Sequence, residues 1–230
     1  MKININLLTR TLLILVCFFS VHTVTAKDNP PETSHDGLVL IKDSKVDIAY
    51  ALPGADLGVY DKVMLLEALI AFKKNWQRDY SRSATTPGGR ISDKDMEKAI
   101  SRGKDLFHHV FVEVLEENGY SVVNEAGADV LLVRPAIINL DVVAPDKQTA
   151  GRSRSYSASA GEATLYVELY DSVTSQILAR ASDRKSDRNS IRWAMSRTSV
   201  SNTADFTRGL KYWAELLVDA LNNAKKNAID

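Results

Sequence analysis

Apolar residues at three- and four-residue spacing mark two stretches of this chain, and strict alternation marks a third. Met96, Ile100, Phe107, Val110, Phe111 and Val114 form one stripe on a helical period. Ser92 stands where a helix cap belongs, and Asp95 three residues later is placed to reach back as a capping-box acid. Asn118-Gly119 then supplies residues that tolerate a left-handed stop. Phe206, Leu210, Trp213, Leu217, Leu221 and Ala224 repeat the helical pattern, with Asp205 near the start and Lys225-Lys226 near the end complementing the helix dipole. Between the two, Ala163, Leu165, Val167 and Leu169 alternate with Thr164, Tyr166, Glu168 and Tyr170, the pattern of a strand with one buried face. Asp171 to Ser175 is a polar turn, and Gln176 to Arg184 returns as the partner strand of a hairpin.

The weaker signals fill in the rest. Val130 to Val143 reads as a longer strand, apolar on both sides over Val130 to Val133 and therefore central. Pro135 donates no hydrogen bond, which predicts a bulge or an edge there. Tyr120 to Val123 reads as a short strand, and residues 38–60, apolar pieces cut by Pro53-Gly54 and Gly58, as strand fragments and turns. Lys62 to Phe72 stays open between a helix, which suits its Leu, Ala and Glu content, and a buried strand, which suits its length and position. Residues 27–37, with Pro30, Pro31 and Gly37, read as a flexible leader, and 81–91 as a loop. Further loops are expected near 144–161 and 184–202. The order predicts one α+β domain over residues 38–230. It is a two-layer sandwich, with a mixed or antiparallel sheet of about five strands and two main amphipathic helices on one face.

The first 26 residues have a separate logic. Lys2 and Arg10 give a positive start, Leu12 to Val21 form an apolar run too short to span a bilayer comfortably, and Val24-Thr25-Ala26 offers small residues before Lys27. This is the pattern of a secretory signal cleaved after Ala26, and it predicts a periplasmic or extracytoplasmic protein. The same cut removes Cys17, the only cysteine, so the mature domain has no thiol, which fits a bacterial periplasm. The alternative, a lipid anchor at Cys17, is disfavoured because Ile14-Leu15-Val16 lacks the small residues expected before a lipidated cysteine.

Charge narrows the partners: 29 basic and 29 acidic side chains leave no basic excess for nucleic acid. Catalytic signatures are missing as well. His108 and His109 are adjacent, so on a helix they point about 100° apart and do not grip one metal. Ser101-Arg102-Gly103-Lys104 and Ser182-Asp183-Arg184-Lys185 match Ser-x-x-Lys without its companion motifs, and no phosphate-binding or dinucleotide glycine loop occurs. No cofactor, metal site or catalytic residue is predicted, and the chain is read as no enzyme.

Several separated pieces resemble domain of unknown function 3313, a family of exported bacterial envelope proteins, many of them lipoproteins. They are the alternating strand and turn Glu162 to Thr174 with its return to Asp183-Arg184, Lys62-Val63 opening an early strand, Asn75-Trp76-Gln77-Arg78-Asp79-Tyr80 after it, and Phe206 to Trp213 opening the last helix. The resemblance covers about residues 38–226. It implies that Lys62 to Phe72 is a strand and that the protein belongs to the envelope, and it brings no catalytic residues. Where the family's hairpin carries Gly, this chain has Ser175, which predicts a less tight turn.

Two candidate interaction sites follow. In residues 184–202, Arg188, Arg192 and Arg197 surround Trp193, the composition of an interface anchor, or else of a loop whose Trp caps the core. On the sheet, Tyr166, Tyr170 and Arg180, with Glu168 and Arg134, share the less apolar face if both helices pack on the other. The leading expectation is a non-enzymatic binding or assembly factor whose partner is a cell-envelope protein or an anionic envelope component. A small-ligand-binding periplasmic protein is the alternative. An enzyme using dispersed acids such as Glu162, Glu168 and Asp183 comes third.

Overall fold

A computed structural model describes residues 29–83, 90–142, 155–156, 161–186, 196–197 and 199–227. Its sheet is larger than the sequence predicts. In chain order the strands are β1 (Val39–Leu40), β2 (Ile48–Ala51), β3 (Lys62–Leu65), β4 (Leu69–Phe72), β5 (Ser121–Val122), β6 (Val130–Val142), β7 (Ser155–Tyr156), β8 (Gly161–Asp171), β9 (Ile177–Ser186) and β10 (Ser196–Arg197). Eight of them form one open mixed sheet in the order β1-β2-β9-β8-β6-β3-β5, with β4 beside β6 as well. The helices are α1 (Trp76–Ser83), α2 (Asp93–Glu117) and α3 (Ser199–Asn227).

The α+β class holds, while the expected five strands and two helices become eight and three. β5 lies within the short strand read at Tyr120 to Val123, and β1 and β2 lie within the strand fragments of residues 38–60. With two to four residues each, they offer too few alternating positions to be counted or bounded from a period. α1 was hidden for a different reason: of its described side chains only Trp76 is buried, so there is no apolar stripe to read.

Residues Lys62 to Phe72 are strand, as the family resemblance implies, but in two pieces. β3 and β4 both run parallel to β6, at Val130–Val133 and Ala136–Leu140, with Leu66 to Ala68 between them. The carbonyl of Val133 accepts from the Leu66 N–H at 2.9 Å. By alternation, the backbone of Pro135 faces the same side. Its missing donor therefore meets the break in the neighbouring strand, and Pro135 itself stays in register opposite Val167. The register shift in β6 lies further on, between Ile138 and Asp141, where Asn139 has φ 54°. The bulge expected at Pro135 is thus displaced onto its neighbours.

The best-marked elements form as read. Ser92 Oγ accepts from the Asp95 N–H and the Asp95 carboxylate accepts from the Ser92 N–H, a complete capping box at α2. Gly119 closes the helix at φ 84°. α2 buries Phe107, Val110, Phe111, Val114 and Leu115, and α3 buries Leu210, Trp213, Ala214, Val218 and Leu221. Both stripes join one core with Leu131, Val133 and Ile137 of β6 and Leu165 and Leu169 of β8. These are the odd-numbered positions of both strands, so the two long helices cover one sheet face. Where α2 crosses β4, a Cβ at Gly103 would come within 2.8 Å of Ile70 Cδ1, a packing reason for that glycine.

Candidate functional site: the open face of the sheet

Even-numbered positions of β6 and β8 point away from the helices. The ladder sets Arg134 opposite Glu168, Glu168 opposite Arg180, Tyr166 opposite Ser182, and Tyr50 opposite Arg180. Directly opposed residues share a face, so Tyr50, Arg134, Tyr166, Glu168, Tyr170 and Arg180 meet on the open side. Three of the sequence-derived candidates, Tyr166, Tyr170 and Arg180, are therefore brought together.

Glu168 is the hub, only 8% exposed. Its carboxylate accepts from the Tyr166 and Tyr170 hydroxyls, both at 2.8 Å, and from Arg180 Nε at 3.2 Å. Arg134 approaches at 3.5 Å. Burial raises the affinity of this carboxyl for its proton, but the two tyrosine hydrogen bonds and the Arg180 and Arg134 charges outweigh it and hold Glu168 below the usual carboxylate range. Burial, then the bond to Glu168, pushes the Tyr166 hydroxyl up to about 12. Every polar atom of the hub is thus committed to keeping a carboxylate charged and the tyrosines neutral.

The second arm of Arg180 leaves the sheet. Its Nη1 donates to Asp36 Oδ1 at 3.3 Å and its Nη2 donates to Asp36 Oδ2. Asp36 also accepts from Ser34 Oγ at 2.5 Å, and that bond, ahead of the pairing with Arg180, takes the Asp36 carboxyl down to about 2. Asp36, with Tyr50 opposite Arg180, is what sequence reasoning missed in this cluster. Ser34-His35-Asp36-Gly37 signals a turn, but nothing in it signals a partner at Arg180. Residues 29–37, the described part of the stretch read as a leader, make these contacts.

Around the hub the face is more apolar. Leu132, Ala136 and Ile138 occupy the even positions of β6, Met64 stands opposite Leu132, and Leu69 stands opposite Ala136 with 62% of its surface exposed. The Arg134 side chain is 65% exposed, so its charge faces solvent beside this strip.

The other candidates fall elsewhere. Arg188, Arg192 and Trp193 lie outside the described residues, as do Ala26 and Cys17. Arg197 lies in β10, whose backbone pairs antiparallel with β7, Arg197 opposite Ser155. The two loop regions singled out from the sequence thus touch each other. His108 and His109 are both exposed on α2. Among the described residues no cluster of three or more His, Cys, Asp or Glu is placed to hold a metal ion. Ser182 faces the open side, whereas Lys185 faces the helices and binds Asp183 at 3.0 Å, so that Ser-x-x-Lys pair is split across the sheet. Asp183, 2% exposed, accepts from Trp213 Nε1 at 2.7 Å and from the Asp47 N–H at 3.3 Å, a polar tie from the sheet to α3. Glu162 pairs with Arg184 at 2.6 Å. The three dispersed acids are thus separately engaged.

The family model of proteins of unknown function DUF3313 matches residues 41–217. The chain belongs to that family. No curated protein matches it. Solved structures that it is similar to include a protein from Xanthomonas campestris of family DUF330, at 15% identity and TM-score 0.39, covering 77% of this chain and 93% of that one. The PelC dodecamer from Paraburkholderia phytofirmans follows at 12% identity and TM-score 0.34, covering 71% and 94%. A neuraminyllactose-binding hemagglutinin homolog from Helicobacter pylori is similar at 12% identity and TM-score 0.30, covering 72% and 88%. At scores this low none of them bears on function. Among the described residues no helix is long and apolar enough to cross a membrane.

Proposed function

We propose that this DUF3313 protein acts outside the cytoplasm as a non-enzymatic binding or assembly factor, engaging another cell-envelope component through the open face of its sheet. The observation that carries the reading is the makeup of that face. One exposed guanidinium, Arg134, stands between two tyrosines and an aliphatic strip that ends in the exposed Leu69. Tyrosine, arginine and isolated aliphatics around a desolvated centre are the composition of protein-binding hot spots. The signal-like pattern of residues 1–26 supports the location.

The hub argues for binding over chemistry. A general acid or base needs a free atom within reach of a substrate, whereas both oxygens of Glu168 are taken by neighbours. The test is to purify the protein gently from its host's envelope and record its native mass, for the wild type and for an L69D/R134E variant. The reading expects a discrete added mass of a second envelope protein that the variant loses while remaining folded. Retention of that mass by the variant would remove the open face from the account, and a bound small molecule in its place would replace the assembly factor by a ligand binder.

A further inference from the structure

The open face already holds one polypeptide, its own. Residues 30–41 fold back on themselves as a strap: Thr33 bridges Val39, the Leu40 N–H donates to the Glu32 carbonyl, and Gly37 turns the chain at φ 82°. Its end, β1, pairs with β2 at the sheet edge, where the Ile41 N–H donates to the Ala49 carbonyl at 2.8 Å, and three further contacts fasten the rest. The Tyr50 hydroxyl donates to the Pro31 carbonyl at 2.9 Å, both Nη groups of Arg180 donate to Asp36, and Leu38 is completely buried. Leu38 lies by alternation on the side of Leu40, which stands opposite Tyr50.

Charge makes the strap a substitute rather than a fixture. The sheet's own cluster, Arg134, Arg180 and Glu168, carries one net positive charge, and Asp36 neutralises it from outside. What the face accepts is therefore visible: an extended segment with a carboxylate, an apolar side chain two residues later, and a backbone carbonyl for Tyr50. We infer that the strap is an internal stand-in, and that the open face receives an extended acidic segment of the partner protein, which sets its carboxylate on Arg180 and its apolar side chain in Leu38's place once the strap has left. This rests on the reading of the open face as the binding surface.

The tether sets the competition. A segment joined by a short connection, here the exposed turn between Leu40 and Ile48, acts at an effective concentration of about millimolar. A free segment with the same contacts is therefore excluded from the intact protein until the strap is weakened.

The experiment uses the mature full chain and, as probe, a synthetic peptide of residues 29–41. In D36R the strap's own residue 36 repels Arg180, and the peptide should bind this variant about tenfold or more tighter than it binds the wild type. A D36N peptide should bind D36R about tenfold more weakly than the wild-type peptide does, and Arg180→Met should abolish binding of both. Equal peptide affinity for wild type and D36R, or none for either, would overturn the inference, as would binding of phosphatidylglycerol vesicles by D36R in place of the peptide. Should D36R fail to fold, hydrogen exchange on the wild type decides the matter. The Ser34, Leu38 and Leu40 amides should exchange by local opening, well ahead of β8 and β9, and exchange only on global unfolding would contradict a strap that leaves. The two readings fail separately. Peptide binding with envelope capture unaffected by L69D/R134E refutes the functional reading, and lost capture without peptide binding refutes the strap.

Discussion

The two faces of the central sheet solve opposite problems with the same strands. Toward the helices, odd positions of β6 and β8 carry Leu131, Val133, Ile137, Leu165 and Leu169, and stability there comes from area removed from water. Toward the open side, even positions of the same strands carry Arg134, Tyr166, Glu168 and Tyr170, and a buried carboxylate is made tolerable only because each of its oxygens is occupied. The lesson is one of additivity. The helix face loses stability in proportion to what is cut away, whereas the open face fails as a unit when its hub goes and tolerates the loss of its rim.

The largest expected break is on the helix face. Phe111 is stacked on Phe107 with ring centroids 4.0 Å apart and is all but inaccessible, so Phe111→Ala should cost about 3–5 kcal/mol in urea unfolding. Next comes the hub. Glu168→Ala leaves Arg180 short of one carboxylate and two tyrosine hydroxyls without an acceptor, a cost of about 2–4 kcal/mol. Arg134→Ala, removing an exposed rim charge, should cost below about 1 kcal/mol. Equal losses from the two changes would erase the contrast.

How much of this was readable beforehand follows from the range of each interaction. The capping box of Ser92 and Asp95, the α2 and α3 stripes and the β8–β9 hairpin are patterns within a few residues, and all three stand in the structure. The face shared by Tyr166, Glu168 and Tyr170 follows from alternation alone, and the sequence reading found it. Asp36 on Arg180 spans 144 residues and Trp213 on Asp183 spans 30, and neither leaves a local trace. The polar helix α1 and the two-residue strands β7 and β10 were lost for want of a period, whereas β5 was read within Tyr120 to Val123. The expectation of a slack turn at Ser175 is corrected in an instructive way. The turn keeps the left-handed backbone a glycine would adopt, φ 58°, while the Asp171 carboxylate accepts from the N–H groups of Val173 and Thr174 and from the Tyr60 hydroxyl at 2.9 Å.

pH sharpens the contrast, because the hub of the open face is a carboxylate held by tyrosines and arginines. The Glu168 carboxyl lies below its ordinary value in the folded chain. The hub therefore adds stability above the carboxylate range, and this is lost as pH falls through the folded value. Urea midpoints between about pH 7 and 3 should fall more steeply for wild type than for Glu168→Gln. At the alkaline end the sign reverses. Tyr166 ionises at about 12 instead of 10.0, so its contribution is intact below 10.0 and disappears as pH rises toward 12. Burial and the bond to Asp171 raise Tyr60 to about 12 as well, so absorbance titration should show late tyrosine ionisation in wild type that is smaller by one tyrosine in Tyr166→Phe.

The smallest effect is a gain. Ser175→Gly relieves a left-handed non-glycine residue in the hairpin turn and should add about 0.5–1 kcal/mol without touching either face.

The central claim, that the open face meets the partner, is tested most directly by photocrosslinking in the living cell from one position on each side of the molecule. A photoreactive residue at Leu69, on the open face, should give a discrete crosslink to one envelope protein, and the same residue at His108, on the solvent side of α2, should give none. A crosslink from His108 with Leu69 silent would place the partner on the helices and contradict the account.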